Sequence, residues 1–201
     1  MAAAAVRIRS LGGTPAIVIT VICVMSALAV VRWSVWSYGS DTGTFAQTVA
    51  NAFSGFTNGT EGSHFRFHDS PLLAVLWPLV ALTRSPLALQ LAQVVLIALT
   101  AVPLAALLRG YVAEPWPSRC ALLAALYPPL LANAFSEFHE LAFYPVLAIW
   151  LLWAADRARW FWFAFAGVAA VLVREDAAAV LVCIGIVLCA TGAIARKTRE
   201  R

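Results

Sequence analysis

The sequence has 201 residues, of which 62% are hydrophobic and only 12% are charged, whereas charged residues make up about 25% of a soluble domain. This composition excludes a water-soluble globular enzyme and a disordered tail. The net charge is +4, but the 14 Lys and Arg are scattered among apolar runs, and without a single basic patch the chain is not a nucleic-acid binder. The composition predicts a polytopic membrane protein.

Apolar runs follow one another along the chain at 14–33, 71–83, 86–108, 120–135, 141–155, 160–173 and 177–194. A helix that crosses a bilayer needs about 20 apolar residues. The second run is the shortest, and at 1.5 Å per residue it would reach only about 20 Å, less than the thickness of the hydrocarbon core. Whether this run crosses the membrane decides the side of every later loop.

The basic residues settle the predicted topology. If 71–83 does not cross, ten of the 14 basic residues lie on the side of the N-terminus, and if it crosses, the split reverses. The positive-inside rule selects the first arrangement. We therefore predict an all-α, polytopic transmembrane bundle of six spans in the cell membrane, with 71–83 as a helix at the outer interface. Its single domain, 1–201, has a cytoplasmic stub (1–13), an outer loop with interfacial helices (34–85) and a cytoplasmic basic tail (195–201).

The first apolar run and the cysteines carry two smaller predictions. Arg7 and Arg9 precede the run and Ala27-Leu28-Ala29 resembles a signal-peptidase site, but the run continues to Val31, which favours an uncleaved signal-anchor. The four cysteines all lie in apolar runs, and their spacing matches neither a zinc site nor a disulfide framework. They are predicted to be buried free thiols.

The outer loop begins with an amphipathic pattern. Phe45, Val49 and Phe53 recur at i, i+4 and i+8 after Asp41, which predicts a short helix resting on the membrane. Ser40 or Asp41 would be its N-cap.

The segment His64–Pro71 alternates between polar and aromatic residues. In an extended conformation His64, Arg66 and His68 would share one side and the phenylalanines the other. The two histidines and Asp69 would suit a divalent cation, and the histidines with Arg66 would equally suit a phosphate. The third interpretation is an interfacial segment without a ligand, its aromatic rings turned to the membrane.

Two hairpin tips complete the predicted outer face. Ser136–Glu140 interrupts the apolar stretch 120–155, and Arg174–Asp176 interrupts 160–194. Seven of the ten acidic residues and all three histidines then lie outside. Ionisable groups near the membrane are costly, so they mark this face as the candidate site.

The outer motifs DTGTFAQ, HFRFHDSPLL, ALYPPLL, SEFHELAF and VREDAAAV resemble, in that order, the bacterial membrane family called domain of unknown function 2079. That family is similar to the GT-C superfamily of polytopic glycosyltransferases. The resemblance covers roughly residues 15–192, with Thr42 and Glu140 departing from the pattern. GT-C proteins of this type continue with further spans, so it implies an N-terminal portion of a larger enzyme: a truncated gene, half of a split enzyme or a reduced module without activity.

The resemblance implies transfer of a sugar from a polyprenyl-phosphate-linked donor at the outer face of the membrane. Asp41 occupies the place of the GT-C acidic residue, a general base or metal ligand. The remaining family elements map onto His68–Pro71, Phe138–His139 and Arg174–Asp176. The departing phosphate would be bound by His64, Arg66, His68, His139 and Arg174, and a divalent cation, Mg²⁺ or Mn²⁺, by Asp69, Glu175 or Asp176.

Two other functions fit the composition. A transporter or channel subunit would also place acidic groups near the membrane edge, although transporter sites lie near the midplane, often within inverted repeats. The sequence contains no clear internal repeat. The other alternative is a non-catalytic membrane partner protein.

Overall fold

The computed structural model describes residues 13–35 and 38–199; the side chains of Leu188 and of residues 193–199 are not described. Arg7 and Arg9 of the predicted cytoplasmic stub, and the side chains of the predicted basic tail, lie outside this part of the chain.

The described chain is mainly helical, and it also has a two-residue antiparallel pair of strands, β1 (Thr57–Asn58) and β2 (Gly62–Ser63). Short 3₁₀ helices cover His64–Arg66, Pro71–Leu76 and Glu140–Phe143. The α-helices are α1 (Thr14–Ser34), α2 (Ser40–Ala50), α3 (Trp77–Thr83), α4 (Leu87–Leu99), α5 (Ala101–Leu108), α6 (Trp116–Ala125), α7 (Pro128–Phe135), α8 (Tyr144–Asp156), α9 (Trp160–Val173) and α10 (Ala177–Arg199). The all-α prediction is confirmed.

Helix ends meet at two ends of the bundle. We call the end that contains Glu137 and Glu175 the site end, and the end that contains Thr14 and Arg157 the opposite end. At the opposite end, the Thr14 hydroxyl at the start of α1 accepts a hydrogen bond from Arg109 Nη2 at 2.8 Å and lies 3.2 Å from the Ser118 hydroxyl of α6. Arg157, which follows α8, donates to the Ala106 carbonyl of α5 at 3.2 Å. The start of α1 therefore lies beside the end of α5, and the end of α8 joins them.

At the site end, loops from distant parts of the chain meet. Glu137, between α7 and α8, accepts a hydrogen bond from the Gly39 backbone N–H at 2.7 Å. Glu175, between α9 and α10, accepts one from the Asp69 backbone N–H at 2.9 Å. Both predicted hairpin tips are thus confirmed as breaks between helices, and both contact the loop that follows α1.

The segment 71–83 begins and finishes at the site end. It starts two residues after Asp69, and after it Pro86 lines a cavity together with Gly43 of α2. Its first half is the 3₁₀ helix and its second half is α3, which packs against α2. The prediction of a helix here is confirmed, and the helix lies across the end of the bundle.

Helix length does not support the predicted six crossing helices. Among the described residues, only Thr14–Ser34 and the continuous α4–α5 segment Leu87–Leu108 are long and apolar enough to cross a membrane. The predicted span 120–135 is divided, because Tyr127 is extended before the proline that opens α7. Helices α8 and α9 have only 13 and 14 residues.

Alanines fill the contact between α5 and α6, and several bulky apolar side chains face outward. Ala105 and Ala121 have no exposed surface, whereas Phe161 and Val168 are 72% and 60% exposed. Helices that pack closely through small residues are typical of membranes. The predicted buried thiols are wrong in one respect: the cysteines are free, but three of them, Cys23, Cys183 and Cys189, face outward. In such a bundle the outer surface is itself an apolar environment, so an apolar position need not be an interior one.

Candidate active site

Helix α2, which carries Asp41, is held in place by the Glu137 carboxylate. Its two oxygens accept hydrogen bonds from the backbone N–H groups of Gly39 at 2.7 Å and of Thr42 at 2.9 Å. The first N–H groups of a helix lack partners within it, and a negative charge at this position also suits the helix dipole. The predicted N-cap is therefore wrong: Ser40 and Asp41 lie inside the first turn, and Glu137 supplies the capping oxygens.

The loop that carries Glu137 is itself fixed by two buried glutamines of α4. Gln93 donates to the Asn133 carbonyl at 2.7 Å and accepts a hydrogen bond from the His139 backbone N–H at 2.9 Å. Gln90 donates to the carbonyls of Ala134 and Ser136 at 3.0 and 2.9 Å. These amides bind the carbonyl groups that end α7, and they place His139 next to α2.

Asp41 and His139 form an exposed acid–imidazole pair. His139 Nε2 lies 3.6 Å from Asp41 Oδ2, with 43% and 56% of the two side chains exposed. That distance is longer than a hydrogen bond. Phe45 packs edge-on against the His139 ring at 5.3 Å between centroids. The carboxylate is thus placed beside a ring nitrogen and remains accessible to a ligand.

The apolar face of α2 packs on protein, which differs from its predicted contact with the membrane. Phe45 and Val49 are buried in one cluster with Phe138 and Leu89. Phe53 lies beyond the end of the helix and is 76% exposed. The amphipathic pattern is correct over α2, but its partner is the remainder of the bundle.

His64 and His68 share one side, as predicted, but through a helical turn. The His68 backbone N–H donates to the His64 carbonyl at 3.0 Å, and the two ring centroids are 6.0 Å apart. In the predicted extended conformation residues four apart would be about 13 Å apart. The segment instead forms the 3₁₀ helix His64–Arg66, and Arg66 is exposed.

His64 is buried behind the Asp41 pair. Its Nδ1 lies 3.1 Å from Glu61 Oε2, its ring packs edge-on against Phe45, and its Nε2 is buried without a hydrogen-bond partner. Asn58 donates to the same Glu61 oxygen at 2.9 Å. Burial raises the pKa of Glu61, but the hydrogen bonds from Asn58 and His64 outweigh it and leave that pKa below its ordinary value. His64 therefore packs against Phe45, the same ring that contacts His139.

His68 is joined to the second hairpin tip. Its Nδ1 lies 3.3 Å from Glu175 Oε1, and the Asp69 backbone N–H donates to Glu175 Oε2 at 2.9 Å. Backbone N–H groups, first that of Asp69, lower the pKa of Glu175 from 4.5 to about 2, and His68 adds to this effect. Glu175 is therefore an ionised carboxylate that joins the loop between α9 and α10 to His68 and Asp69.

Arg174 is already surrounded by carboxylates. Its Nη1 lies 3.5 Å from Glu140 Oε1, and its Nε lies 3.4 Å from Asp176 Oδ2 at an ion-pair distance without hydrogen-bond geometry. Glu140 is 2% exposed, and this guanidinium is its ion-pair partner. Tyr144 donates to Asp176 at 2.5 Å. Arg174 is engaged in joining α9 to the loop before α8.

The predicted metal ligands do not share a site. Glu175 is occupied by His68 and the Asp69 backbone N–H, whereas Asp176 faces Tyr144 and Arg174. Among the described residues, no group of three or more His, Cys, Asp or Glu side chains is arranged to hold a metal ion. The donor set around Asp69 therefore does not fit Mg²⁺ or Mn²⁺.

Two neighbouring cavities lie along α2, although Asp41 itself lines neither of them. The first, of about 190 Å³, is lined by Trp33, Tyr38 and Pro86 and by the first turn of α2. The second, of about 470 Å³, lies between α2 and α3 and has Arg84 on its rim. Gly43 and Pro86 line both cavities. An apolar groove thus runs along the helix that bears the carboxylate.

Sequence reasoning assigned no role to four residues that build the site: Glu137, Glu140, Gln90 and Gln93. Each is a polar side chain within or beside a long apolar run, where an unsatisfied polar group is costly. That cost is the signal that marks them. Their partners were not deducible, since the contacts join residues at least 34 positions apart.

Comparison with known proteins identifies a family. No curated protein and no solved structure matches the chain. The family model described as predicted membrane protein (DUF2079) matches residues 31–201. That range contains the whole candidate site, from Asp41 to Asp176. The chain therefore belongs to the DUF2079 family of predicted membrane proteins.

Proposed function

We propose that the chain is a GT-C-like glycosyltransferase module that takes a sugar from a polyprenyl-phosphate-linked donor at the outer face of the cell membrane. The observation that carries this proposal is the exposed Asp41–His139 pair, at 3.6 Å, with Asp41 on a helix whose first turn also lines an apolar groove. A lipid-linked donor needs an apolar channel and a reacting group at one place. The site end brings both together.

Asp41 is the proposed general base. It takes the proton from the acceptor hydroxyl while that oxygen bonds to the sugar C1. The bond from C1 to the phosphate oxygen breaks, and the polyprenyl phosphate leaves with the electron pair. A positioned base contributes about 10²–10⁴-fold to such a step. His139 is the proposed partner that orients Asp41 and contacts the departing phosphate.

The exposed basic groups at this end are the proposed phosphate contacts. His68 is 33% exposed and Arg66 is exposed, and within the described part of the chain Arg66 forms no ion pair. His64 and Arg174, by contrast, are proposed to support the site, because His64 is buried and Arg174 lies between two carboxylates. The donor's polyprenyl tail is proposed to lie in the groove between α2 and α3.

The proposed topology keeps six crossings with both termini in the cytoplasm and the site end outside. The alternation of the helices between the two ends supports it, as do the outward-facing apolar side chains. A helix shorter than the bilayer core would cross together with the next helix, as α6 would with α7, or the membrane would be thinner around it.

A complementation experiment tests the function. The gene is deleted in its host, the full chain is restored as wild type or Asp41→Asn, and sugars on outer-surface glycoconjugates are measured by mass spectrometry. We expect the wild type to restore one glycoconjugate and Asp41→Asn to lower it at least 100-fold. The control is Asp156→Asn, the same change at the opposite end.

If Asp41→Asn and wild type restore the glycoconjugate equally, Asp41 is not the general base. A wild type that changes no glycoconjugate would rule out the transferase. The same strains also report on the alternatives, since ion uptake lost in Glu175→Gln would identify a transporter subunit.

A further inference from the structure

A third cavity, which Asp41 does not line, lies between α5, α8 and α9. It encloses about 410 Å³, within the range of about 300–1,000 Å³ that is usual for ligand pockets. Its lining is apolar throughout: Leu99, Val102, Pro103, Ala106, Val146, Trp150, Trp153 and Trp162. The proposed transferase chemistry does not use it.

This cleft opens on the outer surface of the bundle. Leu99, Val102 and Trp162 line it and are 37%, 44% and 38% exposed. Trp150 and Trp162 stack at 5.6 Å between ring centroids and form one wall. Apolar cavities do not hold water. In a bilayer, the available occupant of such a cleft is a hydrocarbon chain.

The cleft extends to the opposite end, where a cation lies beside it. Ala106 lines the cleft, and its carbonyl accepts a hydrogen bond from Arg157 Nη2 at 3.2 Å. Arg157 is 31% exposed and shares Asp156 with Tyr111. In the described part of this end, four arginines outnumber two acidic residues; the six are Arg109, Arg119, Arg157, Arg159, Glu114 and Asp156.

We propose that this cleft binds one acyl chain of an anionic phospholipid, with the headgroup phosphate at Arg157. The apolar walls select a hydrocarbon chain, and the Arg157 guanidinium at the end of the cleft selects an anionic headgroup. A basic residue near a membrane surface attracts anionic lipid by roughly 1 kcal/mol. The lipid would fill the gap between α5, α8 and α9, and its binding is independent of Asp41.

Tryptophan quenching in nanodiscs tests the proposal with the full chain. Phosphatidylglycerol or phosphatidylcholine, each brominated on its acyl chains, is titrated into unbrominated phosphatidylcholine, and the cleft tryptophans report binding. We expect quenching by phosphatidylglycerol to saturate at about fivefold lower mole fraction, the ratio that one interfacial arginine supplies. Equal curves for the two lipids, or curves that never saturate, would overturn the proposal.

Matched variants locate the binding. Ala106→Phe fills the cleft and should abolish the saturable quenching, whereas Val168→Phe, on the exposed face of α9, should retain it. Arg157→Gln should make the two lipids equivalent, whereas Arg119→Gln should leave the preference intact. Circular dichroism checks folding, and Leu99→Phe replaces Ala106→Phe if the latter does not fold. Saturable quenching that persists in the folded cleft-filling variant would refute the assignment.

Discussion

The Glu137 carboxylate binds the backbone N–H of Thr42 at 2.9 Å, although the two residues are 95 positions apart in the chain. Its other oxygen binds the Gly39 N–H. The helix that presents Asp41 therefore receives its cap from the loop that presents His139. One side chain fixes both members of the exposed pair relative to each other.

Removing this cap should loosen α2. We expect Glu137→Ala to cost about 2 kcal/mol, because it deletes a charged acceptor shared by two N–H groups. Ser40→Ala should cost less than about 0.5 kcal/mol, since Ser40 does not cap the helix. Denaturant unfolding in detergent, followed by circular dichroism, measures both. Equal costs would mean that Ser40 contributes to the cap after all.

A pair of glycine variants should move stability in opposite directions. A Cβ on Gly39 would lie 2.3 Å from Glu137 Oε1, so Gly39→Ala should displace the carboxylate and destabilise α2. A Cβ on Gly43 would meet nothing within 4 Å, so Gly43→Ala should stabilise the helix by about 0.5–1 kcal/mol. Thermal unfolding midpoints of the two variants provide the measurement. A stabilising Gly39→Ala would contradict the close contact.

Gln93 should be among the costliest polar residues to replace. Its amide satisfies the Asn133 carbonyl and the His139 N–H in a fully buried position. Gln93→Leu would leave the His139 N–H unpaired, at about 1–3 kcal/mol, whereas the Asn133 carbonyl would keep its hydrogen bonds from Ser136. The control is Gln47→Leu, because Gln47 is exposed and accepts one hydrogen bond from Gly59. If the two variants unfold at the same denaturant concentration, Gln93 does not hold the loop.

The contribution of the Glu175 contacts to stability should disappear in acid. Its folded pKa, about 2, lies below the ordinary 4.5, mainly because of the Asp69 backbone N–H. A depressed carboxylate pKa stabilises the fold above the ordinary value, so this contribution is present above pH 4.5 and disappears as the pH falls toward 2. Wild type should therefore lose more stability across this window than Glu175→Gln, as measured by thermal unfolding at each pH. Parallel curves would show that Glu175 titrates alike in the folded and unfolded chain.

Reporter fusions test the proposed sidedness. A reporter that is active only outside should work after Thr83, and one that is active only in the cytoplasm should work after Arg109. The reason is that 71–83 begins and finishes at the site end, whereas Arg109 lies beside Thr14 at the opposite end. Reversed activities would place the site end in the cytoplasm. Activity of the same reporter at both places would show that α4–α5 does not cross the membrane.

Local patterns predicted the local structure well. The helix over 71–83, the amphipathic stripe of α2 and the break at 174–176 each follow from periodicity or from a charge inside an apolar run. Two local predictions failed, since the segment 64–68 is helical and not extended and the span 120–135 is divided at Tyr127. Other failed predictions concern partners. The cap of α2 and the support of His139 come from residues 95 and 46 positions away, which periodicity does not encode. The apolar face of α2 is a further example, because the same spacing of apolar residues is expected whether a helix packs against lipid or against protein.

The distance in sequence between Glu137 and α2 also has a consequence during synthesis. At about 5–20 residues per second, Glu137 emerges roughly 5–20 s after Thr42. For that interval the nascent first loop has neither its cap nor its histidine partner. A chain stalled between these two points would expose an acidic helix start with nothing to bind it, which is the kind of intermediate that membrane quality-control proteases would encounter.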